Sequence, residues 1–179
     1  HHLAPHRMLF APDPSTSNRG NVGGALGNNP CGAHSIVWGK TIDNVRELDV
    51  VLADGTTARF GPQSEGSLEV KMRSDGLEGD AYRRLFSIAD ANRDEILKRY
   101  PKIQRRVGGY NLDELIADGD FNMARFVVGS EGTLIAITGA KLRIVPRPRK
   151  KVLAVLHFKE LLESMEATVA TLEIEPAAV

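Results

Sequence analysis

Apolar and polar positions along the chain predict a structure that mixes strands and helices. Residues 45–52 are apolar and β-branched, which is typical of a buried strand. Asp54-Gly55 is a strong hairpin signal, and residues 56–60 are predicted to return as the partner strand. Residues 134–145 alternate enough to predict a further strand, which Pro146 ends. We therefore expect an α+β fold with a mainly antiparallel sheet and flanking helices.

Helical spacing of apolar residues predicts the helices around that sheet. Short helices are expected over residues 22–28, 111–116 and 122–128, and an amphipathic helix over residues 161–172. The first of these would be capped by Asn18 or Asn21. A longer helix is predicted to begin with Asp80 as its cap and to end at Tyr100, with Asn92 as the point where it restarts. That longer helix is expected to cover one face of the sheet.

The remaining stretches predict a loop and a domain boundary. Residues 61–79 are polar and contain glycine, so we expect a loop or an insertion there. The segment Pro146-Arg147-Pro148 separates the preceding pattern from a strand–helix–strand pattern that opens with an apolar strand over residues 152–158. We therefore expect one domain over residues 1–148 and the beginning of a second over residues 149–179.

The end of the chain predicts association between copies. Residues 172–174 look like the start of a strand with an unpaired edge, and the chain is expected to be a fragment of a larger protein. Apolar residues that would contact the remainder are then expected to be exposed, which favours self-association.

Composition and charge exclude several classes of function. Lys plus Arg equals Asp plus Glu at 23 each, so no basic excess indicates a nucleic-acid partner. No apolar run reaches the length of a membrane span. Cys31 is the only cysteine, so the chain can form no intrachain disulfide and has no cysteine cluster for zinc or an iron–sulfur centre, which is compatible with a reducing cytoplasm. His1-His2 are either a tag remnant or native, and no metal site is predicted from them.

Residues 23–32 form a segment rich in glycine and asparagine that buries little apolar surface. Gly23-Gly24 permits a tight turn into a helix N-terminus, whose N–H groups suit an anionic ligand such as a pyrophosphate. The dinucleotide-binding pattern Gly-x-Gly-x-x-Gly is absent, which disfavours a nicotinamide domain. A plain surface loop explains the composition equally well. Cys31 and His34 lack a third group, which favours structural roles for both.

Four segments in this order resemble the FAD-binding domain of the vanillyl-alcohol-oxidase-type (PCMH-type) flavoproteins. They are residues 12–15, residues 23–28, residues 51–55 and residues 129–134, read as Pro-Asp-Pro-Ser, Gly-Gly-x-x-x-Asn, Val-Leu-Ala-Asp-Gly and Gly-Ser-Glu-Gly-Thr-Leu. The nearest branch is the glycolate oxidase, D-lactate and D-2-hydroxyglutarate dehydrogenase group. Residues 28–35 and 105–115 resemble its subgroup in which the flavin module is fused to an iron–sulfur module. The resemblance runs from about residue 8 to the end of the chain.

The resemblance implies a set of cofactor contacts. Contacts with FAD are expected from Pro12, Asp13, Ser15, Thr16, Gly23, Gly24, Asn28, Gly129, Glu131, Gly132, Thr133 and Leu134. Ile135 stands where the family usually has glycine, which weakens the expectation of a close backbone approach there. Glu131 is expected to bind local N–H groups rather than to act as a base. The catalytic residues and the metal-associated substrate site of the family are expected to lie outside this chain, so no metal ligand is predicted in it.

The resemblance also implies a function for the parent protein. It would be an FAD-dependent dehydrogenase or oxidase of a D-2-hydroxy acid such as lactate, glycolate or 2-hydroxyglutarate, and it would pass electrons to an acceptor, including an iron–sulfur cluster elsewhere in the parent. A cytoplasmic location, or one peripheral to a membrane, is expected. The isolated chain should be inactive and free of FAD, with the N–H groups of Gly23, Gly24, Gly132 and Thr133 open to solvent or to another copy. The alternative is a non-catalytic nucleotide-binding or interaction module that kept the fold without the cofactor.

Overall fold

The sheet predicted from the strand patterns forms the centre of the molecule. A computed structural model describes residues 2–179, and His1 lies outside the described residues. In the sheet, β2 (Val45–Val51) lies between β3 (Thr57–Phe60) and β6 (Ala136–Leu142), and both pairings are antiparallel. The other strands form two short antiparallel pairs: β1 (Met8–Leu9) with β7 (Val145–Pro146), and β4 (Pro62–Gln63) with β5 (Phe121–Asn122). The predicted α+β class with mainly antiparallel pairing is confirmed.

The turn between β2 and β3 is the predicted hairpin. Gly55 has a φ of +84°, a conformation that glycine adopts without the steric cost of a Cβ. The Thr56 hydroxyl and N–H both donate to Asp54 Oδ1, at 2.6 and 2.9 Å. These two hydrogen bonds, the hydroxyl's first, lower the pKa of Asp54 below its ordinary value. The hairpin thus brings residues 45–60 together through local interactions alone.

Residues 2–179 contain seven α-helices. They are α1 (Val22–Asn28), α2 (Ser35–Trp38), α3 (Glu65–Arg73), α4 (Gly76–Ala91), α5 (Arg93–Arg99), α6 (Met123–Val127) and α7 (Leu161–Leu172), with short 3-10 turns at Ala4–His6, Ile42–Asn44 and Leu112–Leu115. Asn21 caps α1 as predicted, since its Oδ1 accepts the N–H of Gly24 at 2.6 Å. The break at Asn92 between α4 and α5 is also confirmed.

The prediction of a loop over residues 61–79 is wrong. This stretch contains β4, the whole of α3 and the first turn of α4, which begins at Gly76 after Asp75. Asp80, the predicted cap, lies inside α4 and pairs with Arg83. The physical reason is that α3 buries only Leu68, so its sequence carries almost no apolar stripe.

The core lies between the sheet and the helices that follow it. Leu48 of β2 is fully buried, with 0% of its surface exposed, and Val50 and Phe60 are buried beside it. Tyr82 of α4 meets Phe60 edge to face, with ring centroids 6.1 Å apart. Burial raises the pKa of Tyr82, and the nearby charge of Glu78 acts in the same direction. Helix α4 therefore joins the sheet's core through Tyr82. Helix α5 follows it after the break at Asn92.

Residues 149–179 differ from the rest in their exposure. The predicted strand over residues 152–158 is wrong: the segment has no strand pairing, and Val152 and Leu153 are 94% and 88% exposed. A strand needs a neighbouring strand to satisfy its N–H and C=O groups, and no strand within residues 2–179 pairs with this segment. The predicted helix is confirmed as α7, but it buries none of its residues. The predicted strand start at residues 172–174 is also wrong, because α7 ends at Leu172 and a turn follows.

None of the helices within residues 2–179 is both long and apolar enough to cross a membrane.

Candidate functional site

The C-terminal end of α1 contacts the turn that follows α6. The N–H of Gly129 donates to the Leu26 carbonyl at 2.9 Å, and the N–H of Glu131 donates to the Gly27 carbonyl at 3.0 Å. These carbonyls lie in the last turn of a helix, where the chain itself leaves them without partners. Two segments separated by about a hundred residues in sequence are thereby held side by side by their backbones.

The turn owes its shape to three residues with positive φ. Gly129 and Gly132 have φ of +86° and +76°, and Glu131 between them has +51°. Glutamate in this region is strained unless its surroundings fix it. Here its Oε1 accepts a hydrogen bond from Asn28 Nδ2 at 3.0 Å, in addition to the backbone bond to Gly27. Glu131 therefore binds a local N–H donor, as predicted, and ties the turn to α1.

Some of the N–H donors predicted to be open are occupied. Gly24 donates to Asn21 Oδ1, and Thr133 donates to the Ser130 carbonyl at 2.9 Å, so the prediction is wrong for these two groups. Gly132 differs, because its N–H has no acceptor among residues 2–179 and a Cβ placed there would meet nothing within 4 Å. The side chain of Leu134 turns inward and packs against the core. Gly132 thus offers an open donor in this turn.

The Pro-Asp-Pro-Ser segment lies against a different part of the glycine-rich stretch. The backbone of Pro12 and Asp13 packs directly on Gly32, where there is no room for a side chain. Asp13 Oδ2 lies 2.7 Å from His34 Nδ1, and Ser15 and Thr16 are exposed. The described contacts thus join residues 12–13 to residues 32–34 and not to the turn at residues 129–134.

A cleft of about 390 Å³ opens beside the turn. Residues 107–110, residues 129–131 and Thr133 line it. The residues of the turn are among the predicted cofactor contacts, whereas residues 107–110 are not. Their signal was the Gly108-Gly109 pair in one of the segments that carry the resemblance. No acceptor within residues 2–179 pairs with either N–H, and a Cβ at either position would meet nothing within 4 Å.

Charged and polar contacts hold residues 107–110 in place from both ends. Arg106 binds both carboxylate oxygens of Asp113, at 2.6 and 2.5 Å, and its guanidinium lies 4.8 Å from the ring centroid of Tyr100. Asn111 is buried and donates to the Val128 carbonyl at 2.6 Å, next to Gly129. The wall of the cleft is therefore fixed by buried polar contacts, although its surface is glycine.

Asn29 closes the far side of the same junction. It is 1% exposed, has a φ of +53°, and its Oδ1 accepts the N–H of Ile42 at 2.9 Å. The Cβ of Asn29 lies 3.2 Å from the point where a Cβ at Gly129 would stand. A side chain at Gly129 would therefore crowd Asn29. Asn29 therefore closes the turn at this junction.

The sequence of this chain is similar to those of known flavin-dependent proteins. Residues 1–61 match the family described as the FAD binding domain. The chain is 33% identical over 99% of its length to a D-2-hydroxyglutarate dehydrogenase of Pseudomonas putida, and 28% identical over 84% of its length to a glycolate oxidase subunit GlcD of Bacillus subtilis. It is 22% identical over 91% of its length to a mitochondrial D-lactate dehydrogenase [cytochrome] of Saccharomyces cerevisiae.

The chain covers only a small part of these relatives. It spans 18%, 22% and 19% of their lengths, in the same order. The resemblance predicted from the four sequence segments is nevertheless confirmed, because each of these relatives belongs to the predicted group and the matched family is an FAD-binding one.

Proposed function

We propose that this chain, whose first 61 residues match the FAD binding domain family, supplies part of the FAD site of a longer dehydrogenase or oxidase. The substrate of that enzyme would be a D-2-hydroxy acid such as lactate, glycolate or 2-hydroxyglutarate, which are the substrates in the names of the relatives. The observation that carries the proposal is the glycine-lined cleft at the junction of α1 with the turn at residues 129–134.

The residues around this cleft fit a flavin nucleotide. Gly108, Gly109 and Gly132 leave open space where side chains would stand, and their N–H groups are available as donors. Flat ring systems and phosphate esters are bound in this way, by close backbone approach and N–H donors. FAD, when bound, supplies the acceptor for the hydride that leaves the substrate's α-carbon. The chain's own residues would orient the cofactor and exclude water on this side.

The individual contacts are proposed from the sequence resemblance. We propose the cofactor contacts at Pro12, Asp13, Ser15, Thr16, Gly23, Gly24, Asn28, Gly129, Glu131, Gly132, Thr133 and Leu134, as the resemblance implies. Gly132 would contribute its open N–H, whereas Gly24 would contribute only its small size. We add residues 107–110 on the opposite wall of the cleft, because they line it together with Gly129.

Two further proposals concern the domains and the electron acceptor of the longer parent protein. We propose that residues 1–148 are part of its FAD-binding domain and that residues 149–179 begin the next domain, which the lack of buried residues in α7 supports. We further propose that the electrons pass to an iron–sulfur cluster elsewhere in a cytoplasmic parent, on the sequence resemblance alone. The rival proposal is a non-catalytic nucleotide-binding module, which the burial of Ile135 in place of a glycine favours.

Flavin binding and reduction test the proposal against its rival. The complete protein that contains this sequence should purify with about one FAD per chain. Anaerobic addition of D-2-hydroxyglutarate, D-lactate or glycolate should bleach its flavin absorbance band, with the L-isomers of the first two as controls. The isolated chain should bind FAD far more weakly and show no turnover, because a cofactor of this size needs both sides of its cleft. A complete protein that binds nucleotides but no flavin would favour the rival.

Self-association of the isolated chain is a separate expectation. The apolar stripe of α7 (Leu161, Leu162, Met165, Val169 and Leu172) is exposed and would be covered by a second copy when nothing else covers it. Light scattering at high micromolar concentration should then report a species larger than the monomer. Leu162→Lys should shift it toward the monomer, whereas Ala170→Lys, off the stripe, should not. A strictly monomeric wild-type chain would contradict the expectation.

A further inference from the structure

Tyr110 and Thr133 both line the cleft and take part in a short chain of hydrogen bonds. The phenolic oxygen of Tyr110 lies 2.8 Å from Thr133 Oγ1. Thr133 Oγ1 in turn lies 2.6 Å from the carbonyl oxygen of Ser130. Both Tyr110 and Thr133 line the cleft, together with Ser130 itself.

The hydrogens in this chain have only one consistent arrangement. A carbonyl oxygen carries no hydrogen, so two oxygens 2.6 Å apart require the hydroxyl hydrogen of Thr133 to lie between them. Thr133 has no second hydrogen to offer, and the hydrogen between it and Tyr110 must come from the phenol. The phenol of Tyr110 thus donates its only hydrogen to Thr133. Its oxygen can only accept a further hydrogen bond.

Contacts on two other sides hold Tyr110 in this orientation. Its ring packs against Phe126 at 6.2 Å between centroids, and its carbonyl accepts the hydroxyl of Tyr100 at 2.8 Å. The residue is 43% exposed, so its oxygen remains within reach of a ligand. A phenol held in this way is a preorganised acceptor, because little side-chain freedom is lost when a donor arrives.

We propose that Tyr110 is a specificity-determining contact that accepts a hydrogen bond from the isoalloxazine–ribityl half of FAD; this rests on the function proposed above. The donors in that half are the N3–H of the ring and the hydroxyls of the ribityl chain, and both have the chemistry that an acceptor-only phenol selects. Phosphate oxygens can only accept, so this phenol disfavours the pyrophosphate at this point of the cleft. The pyrophosphate is thereby directed away from Tyr110.

The test compares FAD with two analogues in the complete protein after its flavin has been removed. One analogue carries a methyl group on N3, and the other lacks the ribityl hydroxyls. Quenching of flavin fluorescence gives the dissociation constants for the wild type, Tyr110→Phe and the control Tyr82→Phe. The control removes the same atom from a buried tyrosine that has no hydrogen-bond partner within residues 2–179.

The wild type should bind one of the two analogues roughly five- to tenfold more weakly than FAD, which is the loss expected for one neutral hydrogen bond. That analogue identifies the donor. Tyr110→Phe should bind FAD weaker by a similar factor and should no longer distinguish FAD from that analogue, whereas Tyr82→Phe should behave as the wild type. The inference is overturned if both analogues bind like FAD, or if Tyr110→Phe keeps the discrimination. A wild type that binds no FAD would instead overturn the proposed function.

Discussion

Replacing Gly32 with alanine should displace the Pro-Asp-Pro-Ser segment and weaken FAD binding together with stability. A Cβ at this position would overlap the carbonyl oxygen of Asp13 and would lie 2.5 Å from its carbonyl carbon and 2.6 Å from the oxygen of Pro12. These are backbone atoms, so no side-chain rotation relieves the overlap. We expect a loss of about 1–3 kcal/mol in the free energy of unfolding, as for other overpacked sites.

The same substitution should also weaken the binding of the cofactor. Asp13 is one of the proposed FAD contacts, and its shift would also disturb its 2.7 Å contact with His34. Because cofactor geometry tolerates little displacement, we expect the dissociation constant of FAD in the complete protein to rise roughly tenfold or more. Urea unfolding and fluorescence titration measure the two quantities, with Gly66→Ala as the control. Unchanged FAD affinity in Gly32→Ala would remove residues 12–13 from the proposed site.

Gly79→Ala should destabilise the protein although helix propensity favours alanine. Gly79 lies inside α4, where alanine is favoured over glycine by about 1 kcal/mol in isolated helices. Its Cβ, however, would overlap the Ser74 carbonyl oxygen and would lie 2.8 Å from the carbonyl carbon. We expect a net loss of about 2 kcal/mol, since the connection between α3 and α4 must open to admit the methyl group.

Gly66→Ala is the matched control for this prediction. Gly66 is also helical, in α3, but a Cβ there would meet nothing within 4 Å. We expect it to stabilise the protein by about 0.5–1 kcal/mol. Urea unfolding followed by circular dichroism should therefore move the two midpoints in opposite directions. If both variants were stabilised, the close approach of Ser74 to α4 would not exist in solution.

The parts of the fold that were predicted correctly have strong local signals. Asp54-Gly55 between two apolar runs specifies a hairpin within a few residues, and Asn21 before a short helix specifies its cap. The placement of β6 beside β2 follows from the same logic, because an apolar strand needs a partner edge. These elements need little information from distant parts of the chain.

The errors arise where distant contacts decide the structure. Helix α3 buries only Leu68, so its pattern of apolar residues does not distinguish it from a polar loop. Residues 152–158 have the composition of a strand, but composition cannot supply the neighbour that a strand needs. In the candidate site, the glycine segments were found from their composition. The opposite wall at residues 107–110 was missed, since only the fold brings it next to Gly129.

Helix α1 cannot persist on its own, and this sets the order in which the site forms during folding. It has seven residues, three of which are glycine (Gly23, Gly24 and Gly27), and isolated helices of such length and composition are unstable in water. Its stability depends on the turn that binds its last carbonyls. That turn is distant in sequence, because Asn28 and Glu131 are 103 positions apart. Closing so long a loop is slow, so this junction is completed late. On the ribosome, the growing chain therefore cannot capture a cofactor at this junction until the turn near residue 131 has been synthesised and docked.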